Sequence, residues 1–347
     1  MPIGYKNRKW QAVLTVSASG PESSPVLDQG GRFLKPRMAA DLRYATADVD
    51  FLASYFRKGD CDTGREEIHR RLINPTCDRF LDALDEMRRW LAEFRDDPEW
   101  DGGGILFCYA GHGQQGDGAL VLADGVITPE QFIAALTSIA DRVSRPGRLR
   151  ISVILDSCHS AAFTTVILDA GLNRYRDLIV PFHVYASCME DEFAWEESGL
   201  GHGVFTYSFS VQESSIGALT ATAIQPDNSY GPSLAIAGSD LGCSFLTAGR
   251  QTPVRYWNGT GHLEVGTRRV NLLEHDECMS FAEMRSWLRH ERNRLVEVIR
   301  PARPDLKVFD TSSDEEMRTK IHDQIRFISS HTGSLSKEPA YQPTEPV

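Results

Sequence analysis

Residues 104–118, GILFCYAGHGQQGDG, form an apolar run that stops in glycines around a single imidazole, His112. Residues 149–160, LRISVILDSCHS, repeat the pattern, with an apolar run halting on Asp156, Ser157, Cys158 and His159. Short continuous apolar runs bounded by turn residues read as strands buried on both faces. Between them, Thr128-Pro129-Glu130-Gln131 offers an N-cap threonine, a proline at the first helical position and a glutamine that closes a capping box, predicting a helix to about Ser144. A strand–helix–strand unit predicts two parallel neighbours joined by a right-handed crossover, with both carboxyl ends on one edge of the sheet. His112 and Cys158 are therefore expected to meet.

Working outward, residues 9–17, 67–74 and 179–188 also read as strands. Leu42, Ala45, Val49, Leu52 and Phe56 recur at helical spacing, with Gly59 where a C-terminal cap belongs. Asn74-Pro75-Thr76 opens another helix carrying Phe80, Leu81, Leu84, Met87, Leu91 and Phe94, and DGGG at 101–104 reads as a break after it. Strands alternating with helices predict an α/β fold, a mainly parallel sheet with helices on both faces. In such sheets reactive groups gather past the carboxyl ends of the strands. Residues 1–210 are expected to form the catalytic core, and 211–335 the remainder of the domain, with an irregular insertion at 210–250 and helices at 280–298 and 313–330. The polar, proline-containing tail 336–347 is expected to be disordered.

The 347 residues carry 37 Lys and Arg against 48 Asp and Glu, a net charge of −11. That balance argues against a general nucleic-acid binder, whose affinity comes from clustered basic side chains. No run reaches the length of a membrane span, and the N-terminal apolar stretch is too short for a secretory signal. Seven cysteines without a C-x-x-C pair suggest reduced thiols and a cytoplasmic setting, with no cofactor required.

A free thiol has a pKa near 8.5, and a neighbouring imidazole raises its reactivity by taking the proton. His112 is the natural base, because His159 is adjacent to Cys158 in sequence and adjacent side chains seldom point at each other. The amides of Gly113 and Cys158 are placed to form an oxyanion hole. Alone, each residue has a plainer reading: His112 as a turn residue, Cys158 as a small buried hydrophobe. Asp156 alone reads as a hydrogen-bonding acid at a strand end. The other cysteines, Phe193 and Trp195 are read as structural, and His183 and His202 have no assigned partner.

FCYAGHGQ and ILDSCHSAAF together resemble the paired histidine and cysteine motifs of caspase-like cysteine peptidases, and the D-S-C-H-S form is similar to metacaspases and their bacterial relatives. His112 precedes Cys158 by 46 residues, close to the roughly 50-residue interval of caspases. ATADVDFLASYF, VYASCMEDEFAWEE and GHGVFTYSF fit the same pattern, so the likeness spans about residues 9–210; QTPVRYW resembles a later family segment. The resemblance implies a caspase-like three-layer sandwich, with His112 as general base and acid and Cys158 as nucleophile. It further implies that Asp156 lines the pocket for the residue before the cut and selects Arg over Lys, whose single ammonium cannot match the bidentate fork. Glu190, Asp191 and Glu192 are candidates for a second pocket acid.

Two features depart from that pattern. Metacaspases often carry serine where Ala110 stands, and Arg43 lies near the position where caspases place an arginine that holds aspartate, which keeps an acidic specificity open. Arg174 and Arg176 fall where relatives are cut during activation, by themselves or by an upstream protease. Protein substrates are implied, without nucleic acid or membrane, in a proteolytic signalling, cell-death or antiviral defence pathway. The acidic run Glu190, Asp191, Glu192, Glu196 and Glu197 reads as a solvated loop; calcium binding stays open because some metacaspases need that ion, although EF-hand spacing is absent. An idle scaffold on the same fold, and a metal hydrolase built on His112, Asp156 and His159, are the competing classes.

Overall fold

The computed structural model describes residues 8–19, 42–57, 65–93, 100–142, 149–174, 182–197, 201–208, 249–257, 262–265, 268–271 and 286–294, with isolated positions at 243–244 and 247. Its strands are β1 (Arg8–Ala18), β2 (Arg65–Ile73), β3 (Trp100–Gly111), β4 (Leu120–Val121), β5 (Val126–Ile127), β6 (Leu149–Asp156), β7 (Phe182–Ala186), β8 (Glu196–Glu197), β9 (His202–Gly203), β10 (Val254–Trp257), β11 (His262–Val265) and β12 (Arg268–Asn271). The helices are α1 (Ala45–Arg57), α2 (Cys77–Glu93), α3 (Pro129–Arg142) and α4 (Ser160–Arg174).

Eight strands form one sheet in the order β12-β11-β10-β7-β6-β3-β1-β2. The five from β2 to β7 are parallel, and β10, β11 and β12 continue the sheet antiparallel. The sheet is covered on both faces, as the alternation of elements requires. Ile105, Phe107 and Tyr109 of β3 face α2, α3 and α4, whereas Leu106, Cys108 and Ala110 face α1 and the segment after β9. On the first face, the ring of Phe107 packs 5.9 Å from Phe80 and 4.7 Å from Phe132, and Phe163 follows at 5.5 Å from Phe132.

The predicted caps form. Thr128 N–H donates to Gln131 Oε1 at 3.0 Å and Gln131 N–H donates to Thr128 Oγ1 at 3.3 Å, a closed capping box. At α2 Thr76 Oγ1 accepts from Arg79 N–H, and the Asp124 carboxylate takes the Cys77 amide at 2.7 Å. Three expectations are corrected. Leu81 is exposed, because it lies one residue, about 100° of helix, from Phe80 on the buried stripe. Leu42 precedes α1, although it packs against the second core cluster. DGGG is no break: residues 102–104 pair with β1, and 103–104 with β6 as well, because ladder bonds hold glycine extended. Of the predicted helix 280–298, residues 286–294 are described and helical, burying Trp287 and Leu288. Gly59, Phe94, Ser144, Arg176, most of 210–250, the helix at 313–330 and the tail 336–347 lie outside the described residues.

Phe107→Ala should cost about 3–5 kcal/mol of stability, the usual range for emptying a large aromatic site. Urea denaturation checks this, and a loss below about 1 kcal/mol would place the ring outside the cooperative core.

Candidate active site

The register sets the site. Ala110 of β3 pairs with Asp156 of β6, so His112 and Cys158 each sit two residues past the same rung. Beyond that rung the two chains touch closely: a Cβ on Gly113 would lie 1.9 Å from the carbonyl oxygen of Cys158, so only glycine fits. The turn out of β6 is pinned from β7. Ser157 N–H donates to Ser187 Oγ, and Ser187 Oγ donates back to the Ser157 carbonyl, both at 3.1 Å. His159 takes φ 57, a left-handed conformation uncommon for a side-chain-bearing residue. Its ring is buried, with Nδ1 2.8 Å from the Glu190 carbonyl oxygen, while its amide donates to the Glu192 carbonyl at 3.0 Å. The turn thereby presents Cys158 and directs the histidine beside it elsewhere.

His112 and Cys158 line one cleft of about 320 Å³, together with Leu42, Ala45, Asp48, Ala110, Gly111, Asp156, Ala194, Trp195, Glu196 and Gly203. His112 Nε2 is buried and lacks a hydrogen-bond partner among the described residues. Burial holds its pKa below the usual 6.5, against the opposing effect of the Ser19 carbonyl. Burial likewise pushes the Cys158 thiol up, the nearby Asp156 charge adding to it, while the amides of Cys158 and Gly113 act in the other direction. Both shifts favour the uncharged form, the neutral thiol and the neutral imidazole. The thiol sulfur also lies 3.9 Å from the Ala194 carbonyl.

Among the described residues three carboxyl groups share the cleft: Asp48, Asp156 and Glu196. Asp156 is pushed up to about 7, first by burial and then by the charge of Asp48, with the Thr206 hydroxyl, donating to Oδ2 at 2.7 Å, pulling it back. Asp48 is raised by burial, opposed by His202, whose Nδ1 lies 2.7 Å from Oδ1, and by the Gly203 amide at 3.0 Å from Oδ2. Glu196 is raised by burial and held back by the amides of Tyr44 and Arg43, which it accepts at 3.2 and 3.1 Å just before α1. Among the described residues no Lys or Arg side chain lines the cleft. Arg43 is exposed beside it and offers Glu196 its main-chain amide.

The structure redirects several sequence expectations. Glu190 pairs with Arg289 at 3.0 Å and Asp191 with Arg292 at 2.6 Å, both on the helical segment 286–294. Glu192 is buried, its carboxylate taking the Met189 amide at 3.1 Å, the Thr252 amide at 2.6 Å and the Thr252 hydroxyl at 3.1 Å. None of the three lines the cleft; the acids that join Asp156 there, among the described residues, are Asp48 and Glu196. Asp48 had a sequence signal: it stands three residues after Ala45 and four before Leu52, on the apolar stripe of α1. Phe193 and Trp195, expected in the core, are 57% and 40% exposed, and Trp195 forms a cleft wall. The metal-hydrolase set does not assemble, since the His159 ring points away from the cleft that His112 and Asp156 line. Arg174 closes α4.

Residues 32–215 match the sequence profile of the caspase domain, more than half of the chain. The chain therefore belongs to the caspase-domain family, and its domain is that of a cysteine peptidase. Caspase-1 from Spodoptera frugiperda is similar in structure at 14% identity, with a TM-score of 0.35 over 65% of this chain and 85% of that one. No curated protein matches. Among the described residues no helix is long and apolar enough to cross a membrane, and no group of three or more metal-binding side chains is found.

An acid whose folded pKa is raised loses stability as pH climbs. Asp156 costs nothing below its ordinary value of 3.8, where it is protonated in both states, and an increasing amount up to about 7, where the unfolded chain ionises alone. Relative to wild type, Asp156→Asn should therefore gain stability between pH 4 and 7. Denaturant unfolding at the two ends checks the sign; an equal difference at both would contradict it.

Proposed function

We propose that this protein is a cysteine endopeptidase that cleaves after basic residues, Arg over Lys, with Cys158 as nucleophile and His112 as general base. The observation that carries the reading is the cleft itself, in which a thiol and an unpartnered imidazole nitrogen share walls with Asp48, Asp156 and Glu196 and with no cationic side chain among the described residues. Buried carboxylates without a cationic counterpart are unfavourable even when hydrogen-bonded. A guanidinium seated among them restores their ionised form and bonds two oxygens at once. A substrate Asp or Glu would add like charge, which disfavours the acidic specificity.

From an uncharged resting thiol and imidazole, the proton moves with the attack. As Cys158 Sγ attacks the scissile carbonyl carbon, His112 Nε2 takes the thiol proton. The developing oxyanion accepts from the amides of Gly113 and Cys158. The imidazolium returns its proton to the leaving amine as the C–N bond breaks, and water, deprotonated by the same nitrogen, then hydrolyses the thioester. Family likeness further supports a regulated enzyme of a proteolytic signalling, cell-death or defence pathway, with processing near Arg174 and Arg176.

A fluorogenic peptide panel varying the residue before the cut tests this. Arg peptides should be cleaved fastest and Cys158→Ala should be inactive. His112→Ala should lose roughly 10²- to 10⁴-fold in rate. Asp48→Asn and Asp156→Asn should each lower the preference for Arg over a neutral residue. Fast cleavage after Asp, or activity surviving in Cys158→Ala, would overturn the assignment. Because His112 must be neutral to accept a proton, kcat/KM for a peptide with a neutral residue before the cut should rise with pH through a value below 6.5, seen as an acid limb that His112→Ala lacks.

A further inference from the structure

Among the described residues, Asp48 alone of the cleft acids Asp48, Asp156 and Glu196 is bonded to an ionisable side chain that stands outside the cleft lining. His202, on β9, places Nδ1 2.7 Å from Asp48 Oδ1, and the next residue, Gly203, donates its amide to Oδ2 at 3.0 Å. With the hydrogen on Nδ1, the Asp48 carboxyl group accepts from two successive residues of one strand, one at each oxygen. The His202 ring is held in turn by Phe51 of α1, with centroids 5.9 Å apart. Gly203 keeps the second acid near: a Cβ there would come within 3.0 Å of Asp156 Oδ2 and 3.2 Å of Asp48 Oδ2. Two carboxylates that repel each other in a buried place stay ionised and aimed only if donors hold them.

We propose that His202 is a positioning residue for specificity, fixing the Asp48 carboxylate beside Asp156 so that the cleft receives the cationic side chain preceding the cut. This rests on the basic-residue reading above. His202 acts through Asp48 and takes no part in moving the thiol proton. Its effect falls on binding of the cationic side chain, therefore on KM for Arg peptides.

The test compares wild type with His202→Phe, which keeps a ring against Phe51 and loses the donor, and His202→Asn, whose side-chain amide restores a donor near the Nδ1 position. Peptides identical except for Arg or the uncharged isostere citrulline before the cut are assayed, with thermal melting of each variant. The Arg-to-citrulline ratio of kcat/KM should fall about tenfold or more in His202→Phe, through KM with kcat within about twofold, because a buried charge has lost its partner. His202→Asn should recover most of the ratio. If wild type prefers Arg and His202→Phe keeps that preference, or if both peptides lose equally and the asparagine gives no rescue, His202 is merely structural and this inference alone fails. A wild type that treats Arg and citrulline alike removes the basic-residue reading and this inference with it.

Discussion

The register between β3 and β6 is the constraint on which the remaining arrangement depends. Side chains alternate along a strand, so a slip of one residue would turn Asp156 from the α1 face to the opposite face and carry Cys158 out of step with His112. The pairing of Ala110 with Asp156 is enforced from both sides. The apolar residues of β3 and β6 sort onto two cores, and the crossing of Gly113 over the Cys158 carbonyl admits no other spacing. Chemistry at the rim is thus a by-product of packing in the middle of the sheet.

Around that rim the cleft gathers charges that a stable interior would avoid. Asp48, Asp156 and Glu196 come from α1, the end of β6 and β8, and each is raised by burial yet supported by at least one donor. Glu196 has two allegiances, since its carboxylate lines the cleft while capping the amides that precede α1. A buried polar group tolerated at a cost to stability marks a place where function, rather than folding, sets the sequence.

Much of the frame was legible in the chain. The apolar runs ending at His112 and Cys158, the capping box at Thr128 and the alternation of strands with helices are local signals, and each describes the structure because local propensity and tertiary packing agree there. That His112 and Cys158 line one cleft was legible for the same reason: topology carries it, and topology follows from the order of elements. The acids of the cleft were harder. Glu190, Asp191 and Glu192 sit beside Glu196 in sequence, yet only Glu196 reaches the cleft, because the loop turns through residues 190–195 and sends its first two carboxylates to Arg289 and Arg292. Such pairings, about 100 positions apart, leave no periodic trace. Asp48 left one, an acid on an apolar helical stripe, whose partner His202 lies 154 positions away.

Glu192 carries one more implication. Its carboxylate bridges the loop that forms the cleft wall to Thr252 at the entrance of β10, and Gln251 Oε1 accepts the amide of Trp195 at 3.1 Å. Both anchors lie past residue 215, where the caspase profile stops. The cleft wall is consequently held by residues beyond the stretch that matches the family profile. A fragment trimmed to that border would strand an interior acid without its donors and unmoor the tryptophan side of the groove, so any working recombinant version has to retain the sheet through β10.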